Sequence, residues 1–186
     1  SGVCQEHVLL GDEVNLDLLP IAKLHPQDGG PYIGTLNIGV CKDFDSEWVN
    51  WGTYRGMKHD KKSTGLWLGP LNQGGQILKK YNAASKVMEY AMFFGGDPMH
   101  NIVASSSVPP GVSEVDVVGG IRGEAVKLVK CKTVDLYVPA NAELVLEGTV
   151  SPGDEREEGP FGEYPGYVVS GTNPRPVFRQ IGRAHV

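Results

Sequence analysis

Residues 125–150 read AVKLVKCKTVDLYVPANAELVLEGTV. Three short runs rich in Val, Leu and Tyr are separated by Lys-Thr and by Pro-Ala-Asn-Ala, so each reads as a strand and none is long enough for a helix. GYVVSG (166–171) and PVFRQI (176–181) continue the series, giving five strand candidates in a row. Upstream, PYIGTLNIGVCK (31–42) alternates. Tyr32, Leu36, Ile38 and Val40 share one face of a half-buried strand, with Thr35 and Asn37 on a polar second face suited to lining a pocket. KDFDSE turns the chain and WVNWGTYR (48–55) returns, so 31–55 reads as a hairpin with Gly52 as a bulge position. TGLWLG (64–69) reads as a short strand, GGQILKKYNAAS (74–85) as a short helix, and VMEYAMFFGGDP (87–98) and NIVASSS (101–107) as buried strands. Ser113 is an N-cap for a small helix beginning at Glu114. Strands dominate and helices are inserted singly. The expected class is α+β built round an antiparallel sheet or barrel, not a doubly wound α/β fold.

The 186 residues suit one domain, read as a turn-rich lead-in over 1–30 and a β domain over 31–182. Seventeen basic side chains against 22 acidic ones give a net charge of −5. That excludes a basic phosphate-binding face, and with it a nucleic-acid partner. Cys4, Cys41 and Cys131 are odd in number and widely spaced, which argues against a disulfide framework and points to a reducing cytoplasm. No apolar run approaches the roughly 20 residues needed to span a bilayer, and the first residues, SGVCQEHVLL, lack the pattern of a signal peptide.

The chemistry concentrates in a few places. EREEGPFGEYPGY (155–167) crowds Glu155, Glu157, Glu158 and Glu163 around one Gly-Pro-Phe-Gly stretch. Like charges held close cost free energy unless a cation, proton or ligand sits among them; a solvated acidic turn is the plainer reading. Glu158 and Glu163 would face opposite ways in a straight strand, but a proline between two glycines implies a turn that aims both into one space. Arg55 is either a snorkelling surface group or a guanidinium fork for a carboxylate or phosphate. If it enters that space, one Glu pairs with it while the other, partly desolvated, can carry a proton at neutral pH. Asn50 is a turn residue or an amide oxygen for a hard cation. Glu114 is an ordinary helix-dipole carboxylate or a ligand for Mg²⁺ or Mn²⁺. Ser105, Ser106 and Ser107 place three hydroxyls at an element end. The five histidines show neither HxH nor HExxH spacing.

EGPFGEYPGY, preceded by VDLYVPANAELVLEGTV, NWGTYR and GVSEVDVVGGIRGE in the same order, resembles the UbiD family of reversible decarboxylases, which use prenylated flavin mononucleotide. The likeness runs from about Leu19 to Phe178. It implies a split β-barrel related to flavin reductases, with Arg55, Glu158 and Glu163 as the catalytic Glu-Arg-Glu set. By the same resemblance Asn50 and Glu114 match ligands of a divalent metal, usually Mn²⁺ (Mg²⁺ being the alternative and K⁺ a further candidate), that bridges protein to cofactor phosphate. Thr35 and Ser105–Ser107 match flavin-contacting stretches. The implied reaction is reversible non-oxidative decarboxylation of an aromatic or α,β-unsaturated carboxylic acid, with CO₂ as partner and a homo-oligomer as the full-length form. Glu155 and Glu157 remain the plain acidic turn.

The chain departs from the family pattern in several ways. In PLNQGG (70–75), Gln73 stands where similar sequences carry the third metal ligand, a histidine; its carbonyl still suits a hard cation but more weakly. The serine run lies where some relatives carry Ser-Ser-Met. Family members are longer on both sides, and the tail QIGRAHV fits them poorly, as a truncation junction would. Two rival readings follow: a flavin- and metal-binding fragment without turnover of its own, and a flavin-reductase-like oxidoreductase, which gives the two glutamates no task.

Overall fold

The computed structural model describes residues 2–169 and 171–186. In chain order its elements are β1 His7–Leu10, β2 Tyr32–Gly34, β3 Ile38–Lys42, β4 Val49–Gly52, β5 Gly56–Asp60, β6 Ser63–Gly65, α1 Gln73–Ala83, β7 Met88–Phe94, α2 Pro98–Ala104, α3 Glu114–Arg122, β8 Leu128–Lys130, β9 Tyr137–Pro139, β10 Leu144–Glu158, β11 Phe161–Gly162, β12 Val168–Val169 and β13 Asn173–His185. The principal sheet runs β2-β5-β6-β13-β10-β7-β3-β4, with β1 added to β13. Two small hairpins, β8–β9 and β11–β12, stand apart from it. Every pairing is antiparallel. The class is the expected α+β one, a mostly antiparallel sheet curled into a half-barrel with a few short helices.

The curl follows from connectivity. β2 and β5 lie at one end of the sheet, β3 and β4 at the other, yet only residues 35–37 join β2 to β3 and only 53–55 join β4 to β5. Links this short span about 10 Å at most, so the two ends of the sheet must meet. Backbones come close at this seam: a Cβ on Gly34 would stand 2.4 Å from Gly56 N. Asn37 fastens it, its Nδ2 donating to the Tyr54 carbonyl at 2.9 Å.

The sheet is buried on both faces. Along β7, Met88, Tyr90 and Met92 enter one core with Leu66, Ile77, Leu78, Leu146 and Phe178. Ala91 and Phe93 enter the other, with Ile38, Val40, Trp51, Leu136 and Val145. Each fully buried large side chain contributes about 1.5–3 kcal/mol. Helix α1, capped by the Asn72 side chain accepting from Gly75 N, closes the first core. Ala104 of α2 and Val115 of α3 pack on the second.

Several local expectations are corrected. Residues 31–42 are not one strand: the chain breaks at Thr35-Leu36, Leu36 is exposed, and only β3 pairs with β4, because β2 must leave for the opposite end of the sheet. NIVASSS is helical: Asp97 caps α2 by accepting from Met99 N, and Pro98 occupies the first turn, where its missing N–H costs nothing. Glu155 and Glu157 do not form a turn; they are exposed positions of β10, opposite Pro176 and Pro174 of β13. TGLWLG is strand only through Gly65, while β5 just before it was not anticipated. Of GYVVSG only Val168–Val169 is strand, and Ser170 lies outside the described residues. The lead-in contributes β1 to the sheet, and the tail over 180–185 completes β13.

Candidate active site

Three of the sequence-singled residues converge at the seam. Arg55 lies in the short link between β4 and β5, Glu158 ends β10, and Glu163 follows β11. Between the two acids the chain turns through Gly159, whose φ of 99° only glycine adopts readily, and through Pro160. The corner therefore does what the Gly-Pro-Phe-Gly stretch implied. Arg55 Nε donates to Glu158 Oε1 at 2.8 Å, and its Nη1 lies 3.6 Å from Glu163 Oε1. The guanidinium lies over two rings, its Cζ 4.7 Å from the centroid of Phe161 and 5.2 Å from that of Trp67. Such stacking leaves a planar fork few alternative poses.

The two acids differ in setting. Glu158 is buried, and burial pushes its carboxyl above the usual range against the opposing pull of Arg55 and Arg175. The Glu163 side chain is 38% exposed and faces the cleft. That cleft, of about 340 Å³, is bounded by Thr35, Asn37, Thr53, Arg55, Trp67 and Glu163. Thr35 lines it from the bend between β2 and β3, not from a polar strand face.

Thr53 and Trp67 also line a second cleft of about 430 Å³, which holds the other candidates: Asn50, Gln73, Glu114 and Ser105–Ser107. Asn50 is on β4, and Gln73 and Glu114 open α1 and α3. Asn50 Nδ2 donates to Gln73 Oε1 at 2.8 Å and to Glu114 Oε1 at 3.1 Å, so both oxygens converge on one point. Tyr54 fixes this amide, its hydroxyl donating to Asn50 Oδ1 at 2.7 Å and accepting from Gly74 N at 2.9 Å. Glu114 Oε2 accepts from Trp51 N at 2.7 Å. Burial raises the Glu114 carboxyl, and its partners among the described residues are neutral donors, with no Lys or Arg paired to it. A buried carboxylate converging with an amide oxygen and lacking a counter-charge suits a hard cation. Here, however, the Asn50 NH₂ stands at that point and its Oδ1 faces Tyr54, so Asn50 would become an oxygen ligand only with its amide reversed. The Ser113 hydroxyl makes no cap bond, accepting instead from Val49 N at 3.4 Å. The serine run ends α2 and is exposed; the Ser106 hydroxyl is spent on the Ile102 carbonyl.

Other residues escaped the sequence reading. Asp28, in the lead-in and buried, accepts from Gly162 N at 2.7 Å and from His25 N at 2.8 Å, tying residues 25–28 to the acidic corner. Asp-Gly-Gly carries only a turn signal, so nothing local reveals the partner. Trp67 stands out in the sequence only as part of a short strand, although its indole faces two arginines, the Cζ of Arg175 standing 3.8 Å from its centroid.

Residues 1–181 match the family described as the 3-octaprenyl-4-hydroxybenzoate carboxy-lyase Rift-related domain, UbiD. The chain is 43% identical over 182 residues to ferulic acid decarboxylase 1 of Saccharomyces cerevisiae, covering 96% of this chain and 36% of that protein. It is 38% identical over 177 residues to pyrrole-2-carboxylic acid decarboxylase of Pseudomonas aeruginosa, covering 95% and 36%. The UbiD-class enzyme HmfF of Pelotomaculum thermopropionicum, in complex with prFMN, superposes with a TM-score of 0.92 at 32% identity, over 98% of this chain and 42% of that one. The chain thus spans little more than a third of its curated relatives. With 181 residues matched and a convergent Arg-Glu-Glu constellation at its seam, the chain belongs to the UbiD family.

Proposed function

We propose that this chain is the cofactor-binding and proton-managing domain, here residues 31–182 with the lead-in joined to them, of a prenylated-FMN-dependent carboxy-lyase acting on an aromatic or α,β-unsaturated carboxylic acid. The observation that carries the reading is the Arg55 guanidinium held between a buried and an exposed glutamate at the mouth of a cleft. Bound prenylated flavin would supply the electron sink that no side chain provides when CO₂ leaves. Glu114, Gln73 and, with its amide reversed, Asn50 would hold Mn²⁺ or Mg²⁺, which would neutralise cofactor phosphate; Thr35 and Ser105–Ser107 would contact the flavin from the two adjoining clefts. K⁺ is a further ion for the same cleft.

The chain's own residues have distinct tasks. Arg55 binds the substrate carboxylate through its free N–H groups, because its Nε is committed to Glu158. Glu158 and the rings of Trp67 and Phe161 keep that fork in one orientation. Glu163, exposed to the cleft and 3.6 Å from the guanidinium, delivers a proton to the carbon that has lost CO₂. Under high CO₂ the same carboxylate takes the proton back and the acid is formed. Glu155 and Glu157, exposed on β10, take no part. Free buried thiols at Cys4, Cys41 and Cys131 suit a reducing, cytoplasmic setting, and no described helix is long and apolar enough to cross a membrane. A homo-oligomer is the proposed full-length form.

The test is to supply prenylated FMN and Mn²⁺, record retained visible absorbance, and follow CO₂ release across a panel of aromatic and cinnamic-type acids. Glu163→Gln should retain flavin and lose product. Normal turnover in that variant overturns the proton assignment. Retained flavin without turnover by the parent chain supports the second reading, a binding domain that needs the remaining two thirds of its relatives' length.

A further inference from the structure

Beside the Arg55–Glu158 pair, two buried polar atoms border the same glycine with nothing to bond among the described residues. Glu158 Oε2 and His59 Nε2 each lack a hydrogen-bond partner among the described residues. Both border Gly65: a Cβ built there would lie 2.7 Å from Glu158 Oε2 and 3.1 Å from His59 Nε2. The two atoms are thus no further apart than those distances laid end to end, the reach of one bridging water. His59 is on β5 and Gly65 on the adjacent β6. Any residue other than glycine at 65 would put a side chain between them.

We propose that His59 is a positioning residue for Glu158: its Nε2–H holds Glu158 Oε2, at most one water away across Gly65, and thereby turns Oε1 toward Arg55. The inference rests on the reading of Glu158 as the group that orients Arg55. Orphaned buried polar groups cost free energy, and this arrangement satisfies a donor and an acceptor at once. The charged and titratable groups around Glu158 are Arg55, Arg175 of β13 and Tyr32 of β2; around His59 they are Arg156 of β10 and the neighbouring Asp60. Burial and Arg156 hold the imidazole below its usual range, which keeps it neutral, with one N–H to give.

The experiment is a ¹³C NMR titration of the Glu158 carboxyl in the glutamate-labelled chain without cofactor, assigned by its loss in Glu158→Gln. A donated bond favours the charged form, so His59→Leu should raise the Glu158 midpoint by about one pH unit. His59→Gln, which keeps an N–H at similar reach, should restore most of the shift. Gly65→Ala, which wedges a methyl between the two atoms, should reproduce the rise, and it decides the matter if His59→Leu fails to fold. An unchanged or lowered midpoint overturns the proposal. This readout needs no turnover: loss of the decarboxylase reading would show as absent CO₂ release with the Glu158 shift intact.

Discussion

Removing Asp28 should loosen the acidic corner without touching any residue that meets substrate. Its carboxylate accepts two backbone N–H bonds, from Gly162 at 2.7 Å and His25 at 2.8 Å, and it is only 2% exposed. Hydrogen bonds to a charged group contribute about 1.5–3 kcal/mol each, and removing the carboxylate also relieves its own desolvation. Asp28→Ala should therefore cost about 3 kcal/mol. For a chain of this size that lowers the melting temperature by roughly 6–12 °C. Asp28→Asn keeps an acceptor for Gly162 but turns an NH₂ toward the His25 N–H, so about half the loss is expected. Urea unfolding measures the loss, and amide exchange localises it: the Gly162 N–H should lose more protection than the global loss that the β7 and β10 amides share. A cost below about 1 kcal/mol, or a Gly162 amide as protected as in the parent, would refute the claim that Asp28 anchors the corner.

Other substitutions test the site piece by piece. Arg55→Lys keeps the charge but loses the stacked fork, so kcat/KM should fall by at least about 100-fold with flavin retained; a loss under tenfold would contradict it. Glu114→Ala should lower Mn²⁺ affinity and flavin retention together, and calorimetry with unchanged flavin occupancy would break the link between them. Gln73→His should bring Zn²⁺ or Co²⁺ affinity up more than Mg²⁺ affinity, because imidazole suits softer ions. Glu158 has a folded value raised by burial, so its contribution to stability is whole below the ordinary glutamate range and is lost as pH rises through the raised value. Glu158→Gln keeps the acceptor for Arg55 Nε and does not titrate. Its stability relative to the parent should climb with pH across that window, and a flat or falling difference in urea midpoints would be the contrary result.

The acidic corner was legible because its signal is local. Proline between glycines, with an acid on either side, can be converted into a shape before any partner is known. Arg55 was legible as chemistry but not as position, since its neighbours Trp67, Phe161 and Glu158 arrive from two other segments, far along the chain in the case of the acidic corner. NIVASSS misled because a short apolar run carries no period; the Asp97-Pro98 start was the better guide, and it was read as the end of a strand. Thr35 reached the expected cleft by a different route, as the alternation of 31–42 suggested one strand where the barrel needed a crossing between sheet ends. Asp28 was invisible for a simpler reason: its partner Gly162 is 134 residues away.

The tie between the lead-in and the corner sets a lower limit on any minimal version of this domain. A Cβ on Gly29 would fall 2.0 Å from the Gly159 carbonyl oxygen, and Gly29 N donates to Pro160 O at 2.8 Å. Residues 25–29 thus brace the corner that carries Glu158 and Glu163, and a version of the domain clipped at residue 30 would lose that brace.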